Sequence, residues 1–538
     1  MFALRPELFP SEELAARYRE CLHKAQEGKL EEARKELFVL LGEPMAPSAV
    51  ALLENDLAVL AYLSGDRLQA DDWFRRALVQ DPSSELIARN RSAVFAGSAP
   101  LAPTASRPVS GDRFLGPARD KRKIAVVSLL FNWPSTGGGN VHTVGLINAL
   151  RQAGYSVRHL FARYEPWKIG SVNEPLPYPT EALGFTTETW SLSAVQQAIR
   201  AALERDRPDM VLLTDSWNTK PWLAEAIAPL PYLLRFDALE CLCPLNNLRL
   251  LPTPDKNVRT CPRSQLATPE ECATCVNALG SMSGSLHQVE REFAKVGSPH
   301  YQERLKASLR DASAVLVHNP LIEALVEPFA SKTCVVPIGV DSDRFQPITQ
   351  RHEGGPIRLL FAGRVNDIVK GFPVLEAAGY VLWQRRQDFR IVATGRAPAE
   401  SPPFIEWVGW QPYAELPALL ANADILIAPS VAQEPLGLSA IEGMAAGIPV
   451  IASEVGGLQY TVIDGLTGWL CSPGEVIELA HRIEQLLDDA ELRLRMGQAG
   501  RSRFEQFFAW PAIIKQHYEP LLGITSSSDA ASPASLLS

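Results

Sequence analysis

The sequence predicts an all-helical N-terminal region followed by two α/β domains, each a parallel sheet covered on both faces. Residues 11–98 hold few chain breakers and space their apolar residues at helical intervals. Beyond residue 120, short apolar runs alternate with helical patterns over about 400 residues. That length is too great for one such sheet, which places a break near 335–350.

The chain has 538 residues, 46% hydrophobic and 21% charged, a balance of globular domains rather than of disordered or fibrous chains. A net charge of −9 argues against a nucleic-acid binder driven by phosphate contacts. The opening MFALRPELFPSEEL lacks a long apolar run and carries acids early, so it does not read as a secretory signal. No stretch is long and apolar enough to form a transmembrane segment. The expectation is a cytoplasmic protein, with peripheral attachment to the inner face of a membrane left open. Five of the eight cysteines fall between Cys241 and Cys275, which in that compartment suggests metal or packing rather than disulfides.

Within residues 1–98, AQEGKLEEA (25–33) and YLSGDRLQA (62–70) share a Gly and a final Ala. The second copy fits the tetratricopeptide pattern, with Leu57, Ala58, Gly65, Ala70, Phe74, Ala77 and Pro82 at its large, small and stop positions. The first copy, with Cys21, Gly28, Ala33 and Leu37, is looser. A plain helical bundle is the alternative. Stacked repeats leave a concave face for a protein partner. Residues 99–120, rich in Pro, Ala, Ser and Gly, form a linker.

Strands are expected within 123–131, 210–215, 314–319, 358–364, 390–395, 425–430 and 448–453. After the first of these, Gly137, Gly138 and Gly139 precede a helix. Such a loop is a phosphate cradle in doubly wound folds, although the spacing is not a dinucleotide fingerprint. His142 in that helix reads as a buried histidine. Arg364 and Lys370 stand between a strand and the next helix, where two cations suit a diphosphate or are plain surface charges.

The stretch QEPLGLSAIEGMAAGIPV, 433–450, sets two acids in an apolar, glycine-rich setting. Pro435 and Gly437 make its first part a loop. Ser439 followed by Glu442 is a capping-box pattern, which predicts a helix starting at Ser439 and stopping at Gly447 and Pro449. Glu442 then caps the helix and Glu434 is a loop acid. The sharper reading is a ligand site: free N–H groups at the helix start favour an anion, and the two carboxylates accept hydrogen bonds from sugar or ribose hydroxyls.

These segments, in their order, resemble glycosyltransferase family 4, of the GT-B fold. The resemblance rests on Gly363-Arg364 with Lys370-Gly371, on Ala423-Asp424-Ile425 with Pro429-Ser430, on Glu434 to Ala452, on Gly456-Gly457, and on Asp464-Gly465 with Thr467-Gly468. It covers residues 121–522 and is strongest over 355–475. It implies two Rossmann-like doubly wound domains facing a cleft: 121–340 for the acceptor, with a cysteine-rich insertion at 241–275, and 341–505 for the nucleotide-sugar. A helix at 506–522 is expected to cross back, and the composition of 523–538 leads to the expectation of a disordered tail. By resemblance, Glu442 holds the ribose hydroxyls of a nucleotide-sugar donor. Glu434 holds donor-sugar hydroxyls, assisted by backbone amides around Leu436, Gly437 and Leu438. Arg364 and Lys370 bind the diphosphate, and Gly137 to Gly139 face donor and acceptor. Family members usually retain the anomeric configuration and need no metal or other cofactor for catalysis. The expected reaction moves a hexose-type sugar to an acceptor hydroxyl by front-face attack, with Glu434 positioning the donor.

Departures from the family pattern are Leu436 for Phe, Gly443 for Ala, and one extra residue between Arg364 and Lys370. Asp237, in LLRFDALECLCP, stands where many members have His; an acid there suits a sugar contact, acceptor orientation or a general base, or simply caps a turn. Cys243, Cys261, Cys272 and Cys275 resemble an insertion seen in some members. The set fits a closed four-thiolate structural zinc site, with Cys241 as an alternative ligand, and equally fits buried free thiols. The acceptor is left open among a glycan, a lipid-linked sugar and a small molecule. Two rival readings are a tetratricopeptide binding scaffold with a degenerate transferase region, and a protein-modifying glycosyltransferase. Intact Glu434, Glu442, Arg364 and Lys370 argue against degeneration.

Overall fold

Short runs of Val, Ile and Leu with no alternation must be buried on both faces, and in the computed structural model they are the inner strands of two parallel sheets. The structure describes residues 8–63 apart from 28 and 42–44, scattered positions between 70 and 91, and 122–522 apart from 136, 253–257 and 346–354. Its contacts divide the chain into two units, residues 1–118 with 525–538, and residues 119–524.

In the second unit, the first described sheet runs β3-β2-β1-β4-β5-β8-β9, all parallel. Its strands are β1 Lys123–Ser128, β2 Ser156–Arg163, β3 Thr180–Gly184, β4 Met210–Thr214, β5 Tyr232–Arg235, β8 Ala314–Val317 and β9 Thr333–Val335. The hairpin β6 Leu250–Pro252 with β7 Val258–Thr260 is antiparallel and lies within the cysteine-bearing insertion. The second sheet runs β12-β11-β10-β13-β14-β15, also parallel. It comprises β10 Ile357–Phe361, β11 Phe389–Ala393, β12 Ile405–Trp407, β13 Ile425–Ala428, β14 Val450–Ser453 and β15 Gly468–Cys471. Strand order reverses between β1 and β4 in one sheet and between β10 and β13 in the other. Doubly wound sheets bind ligands at the carboxyl ends of the strands flanking such a reversal.

Most of the predicted runs continue past the strands they contain. Asp215, His318-Asn319, Gly363-Arg364 and Pro429-Ser430 all lie beyond the last paired residue, on the loops that leave the sheets. The chain returns to the first lobe at its end. Val340 N–H donates to the Phe508 carbonyl at 2.8 Å, and Trp510 N–H to the Val340 carbonyl at 3.2 Å. Trp510, Ile513, Ile514 and Tyr518 then pack into the first lobe's core with Ile124, Val144 and Leu233.

In the first unit, helices Glu12–Gln26, Leu30–Leu41 and Pro47–Leu63 are described. Ser11 caps the first, accepting from Leu14 N–H. Cys21, Ala33, Leu37, Leu57, Ala58, Ala70, Phe74 and Ala77 are buried in one core. Gly28, Gly65 and Pro82, which the tetratricopeptide pattern needs, lie outside the described residues, as do the linker and the tail. The third helix buries a polar run: Tyr18 Oη donates to Asp56 at 2.5 Å, and Asn55 Nδ2 to Asp56 at 2.9 Å.

Candidate active site

The second lobe's site grows from the loops after β10 and β13. Asp367 starts a short 3-10 turn, Ile368–Lys370, by accepting from Val369 N–H at 3.2 Å. Gly371 ends the turn at φ +72°, and a Cβ there would stand 1.8 Å from the Pro429 carbonyl oxygen. Only glycine therefore lets this turn lie against the loop after β13. Val431 N–H donates to the Val369 carbonyl at 2.9 Å and ties the two loops together. Across this seam Lys370 Nζ donates to Glu434 Oε1 at 2.5 Å, and Ser430 Oγ donates to the same oxygen at 3.0 Å. A crevice is lined by Gly363, Lys370, Ser430, Glu434, Gly437 and Ser439, among others.

The helix after this loop corrects the capping-box expectation. It runs Leu438–Ala445, with Gly437 at φ +84° in the capping position and no side-chain cap. Left-handed glycine starts the helix earlier than Ser439 would, so Ser439 is already inside it and Glu442 lies one turn further in. Glu442 is 3% exposed and faces Tyr413 and Arg344 instead of the helix start. Arg344 stacks on the Tyr413 ring at 3.8 Å. Burial pushes the Glu442 carboxyl up to about 8, against the opposing pull of Tyr413 and Arg344. Its Oε1 meets no hydrogen-bond partner among the described residues. A buried oxygen of this kind is costly unless a ligand's hydroxyl meets it.

The other expected donor residues divide. Arg364 is 61% exposed and pairs with Asp367 at 2.7 Å, so it is free to exchange that partner for an anion. Leu436 turns its side chain into the core, 2% exposed, and its carbonyl accepts from Thr461 Oγ1 at 2.6 Å. Leu438 reaches across to the first lobe, where a Cβ on Gly138 would be 3.9 Å from its Cδ2. Asn319, after β8, donates to the Pro435 carbonyl at 2.5 Å. The loop carrying Glu434 is thus held from both lobes.

Gly137 caps helix Gly138–Gln152 without a side-chain bond, and beneath it lie two carboxylates. A Cβ on Gly139 would stand 2.6 Å from Asp215 Oδ1 and 3.8 Å from Asp237 Cβ. Asp237, after β5, accepts from Thr214 Oγ1 at 2.9 Å and from Asp215 N–H at 2.8 Å. Asp215, after β4, accepts from Thr143 Oγ1 at 2.5 Å and holds φ +35°. Burial and the Asp237 charge raise the Asp215 carboxyl. The helix start that reads as a phosphate cradle therefore already faces acids, which favours hydroxyls over phosphate at this point. Below, Lys220 Nζ is bonded to Glu240 at 2.6 Å, both side chains fully buried, and lies 3.6 Å from Asp237. Arg235 Nε stands 3.5 Å from Asp237, and its guanidinium donates to Tyr518 Oη at 2.5 Å. His142 is buried against Trp510 and His318.

Asp215, Lys220, Arg235 and Glu240 were missed in the sequence. Asp215 carried a readable signal, an acid at the carboxyl end of an expected strand. The Lys220–Glu240 pair carried none, because its members lie on separate elements.

Cys243, Cys261, Cys272 and Cys275 converge closely enough for their charges to influence one another, and burial raises Cys243, Cys272 and Cys275. Among the described residues, no three His, Cys, Asp or Glu side chains stand in metal-holding geometry.

Residues 345–503 match the family model described as glycosyl transferases group 1. The glycogen synthase of Mycobacterium tuberculosis is 31% identical over 255 residues, 44% of this chain and 56% of that protein. The D-inositol 3-phosphate glycosyltransferase of Corynebacterium aurimucosum is 33% identical over 240 residues, 39% of this chain and 56% of that one. The chain thus spans about half the length of the curated relatives it matches. Sucrose-phosphate synthase from Thermosynechococcus elongatus superposes with a TM-score of 0.53 at 23% identity, covering 74% of this chain and 99% of that one. The two lobes have a GT-B fold, and residues 345–503 of the second are similar to the group 1 glycosyl transferases. No described helix is long and apolar enough to cross a membrane.

Proposed function

We propose that the chain is a nucleotide-sugar-dependent glycosyltransferase that moves a hexose-type sugar to an acceptor hydroxyl, with retention and without a catalytic metal, in glycan or glycoconjugate biosynthesis. One observation carries this reading. Lys370, Ser430 and Glu434 meet in a crevice at the carboxyl ends of β10 and β13, inside the segment that matches the group 1 transferases.

In this reading, donor diphosphate draws Lys370 and Arg364 from their carboxylate partners, and the cations stabilise the charge that develops on the leaving group. Glu434, released from Lys370, accepts from donor-sugar hydroxyls, and Glu442 meets the ribose. The acceptor oxygen bonds to the anomeric carbon as the bond from that carbon to the phosphate oxygen breaks. The acceptor proton passes to the departing diphosphate. Asp237 and Asp215 orient the acceptor by its hydroxyls. Cys243, Cys261, Cys272 and Cys275 would hold a structural zinc only after drawing closer together, and the buried positions shared with the repeat pattern support a protein-docking role for residues 1–98. The absence of a described membrane-spanning helix is compatible with a cytoplasmic location.

The test is titration with UDP, GDP and ADP, each with and without a common sugar, followed by assay of the tightest-binding donor. Saturable binding of one nucleotide and turnover of its sugar conjugate are expected. Binding of none would favour the scaffold reading.

A further inference from the structure

The cysteine-bearing insertion reaches out of the first lobe, and its hairpin lands on the second. Leu250, the first residue of β6, is 7% exposed and packs in one apolar cluster with Val369 and Ala432, with Leu248 alongside. Val369 precedes Lys370, and Ala432 lies two residues before Glu434. These are the two loops that the Val431–Val369 backbone bond and the Lys370–Glu434 ion pair join. Leu250 therefore packs against both loops that line the crevice, beside the residue preceding Lys370 and the residue two before Glu434.

Its own support leads back to the thiols. Asn246 Nδ2 donates to the Leu250 carbonyl at 2.7 Å, and Leu250 N–H donates to Asn246 Oδ1 at 3.2 Å. The same Oδ1 accepts from Cys243 Sγ at 3.6 Å. Cys261 N–H donates to the Arg249 carbonyl at 2.6 Å, which holds the other side of the strand. A continuous path thus runs from the cysteine cluster through Asn246 and Leu250 to Val369 and Ala432, and so to Lys370 and Glu434.

We propose that this insertion is a brace for the donor loops, with Leu250 as the positioning residue that holds Lys370 and Glu434 in register across the lobes. Leu250 touches no reacting atom. It fixes the backbone of both loops by filling the hollow between Val369 and Ala432, so that the cation and the carboxylate are in place before a ligand arrives. Preorganisation of this kind raises affinity by lowering the ordering cost of binding. The role rests on the donor-site reading given above, while the brace itself is a statement about loop order.

The experiment compares the full-length protein with Leu250→Asp, Leu250→Ile and Asn246→Ala. Two readouts are taken: amide hydrogen exchange over 366–372 and 429–435, and titration with UDP, GDP and ADP. A buried carboxylate in place of Leu250 should lift the hairpin, speed exchange in both loops and weaken nucleotide binding about tenfold. Leu250→Ile should restore both, and Asn246→Ala should fall between. A folded Leu250→Asp with wild-type exchange in both loops would overturn the brace. Should wild type bind none of the nucleotides, the donor-site reading fails and the exchange data still decide the brace. A uniform rise in exchange across the second lobe, or an equal effect from Leu250→Ile, would mark Leu250 as ordinary packing and also overturn the proposal.

Discussion

The two faces of the cleft use charge in opposite ways. In the first lobe, Lys220, Glu240 and Arg235 are buried, Asp237 is partly buried, and all four are already paired. In the second, Arg364 is 61% exposed and Lys370 one-third exposed, each bonded to a single carboxylate. A buried network costs too much to break and so works as a fixed frame. Half-exposed pairs lose little when a stronger anion displaces one partner. The contrast separates a lobe built to stay still from one able to exchange partners, and under the proposed reading phosphate goes to the second lobe and hydroxyls to the floor of the first.

The largest effect that could break this contrast is on turnover. Lys370→Ala should lower transfer by about 10²–10³-fold while the protein stays folded, because a cation facing the leaving group acts in the transition state. Glu434→Ala should be similarly severe. Steady-state rates with matched melting curves check both. On the frame side, the prediction concerns folding. Glu240→Ala removes the hydrogen-bonded partner of Lys220 and leaves it only Asp237 at 3.6 Å, and denaturant titration should show a loss of about 3–5 kcal/mol. A stable Glu240→Ala would mean that the buried pair frames nothing.

Smaller effects sharpen the comparison. Gly371→Ala forces both a left-handed backbone and a clash with Pro429, costing about 1–3 kcal/mol of backbone strain and loosening the Lys370–Glu434 seam. Glu442 carries a signed pH effect. Its folded value, pushed up to about 8 from the 4.5 of an ordinary glutamate, means that the folded state holds the proton more tightly. Its contribution is full below about 4.5 and is lost as pH rises through about 8. Wild type should therefore lose melting temperature from pH 5 to 9 more steeply than Glu442→Gln, and parallel slopes would show that Glu442 is ionised throughout. The smallest effect is expected from deleting residues 1–98, which lie within the contact unit 1–118 with 525–538 and whose loss should leave nucleotide affinity unchanged.

What the sequence revealed follows from how local each signal is. The loops bearing Arg364, Lys370, Glu434 and Gly437 were legible because each is a short string at a strand end. Both parallel sheets were legible because strands buried on two faces lose their alternation. Helix 438–445 was misplaced by one residue because Ser439 and Glu442 mimic a capping box, while the deciding fact is the backbone of Gly437. Asp215 went unread beside Asp237 because what joins the two acids is a fold contact, the Asp215 amide on the Asp237 carboxylate. Leu250 was invisible for the same reason: nothing near it in the chain names Val369 or Ala432 as its neighbours.

The most direct test of the central claim is nucleotide binding by wild type and Glu442→Ala side by side, with UDP, GDP and ADP. The account predicts one nucleotide that binds wild type saturably and weakens sharply in the variant, because the unpartnered Glu442 oxygen is a ribose contact. Equal affinity in a folded variant would contradict that role, and no binding by either protein would contradict the donor site itself.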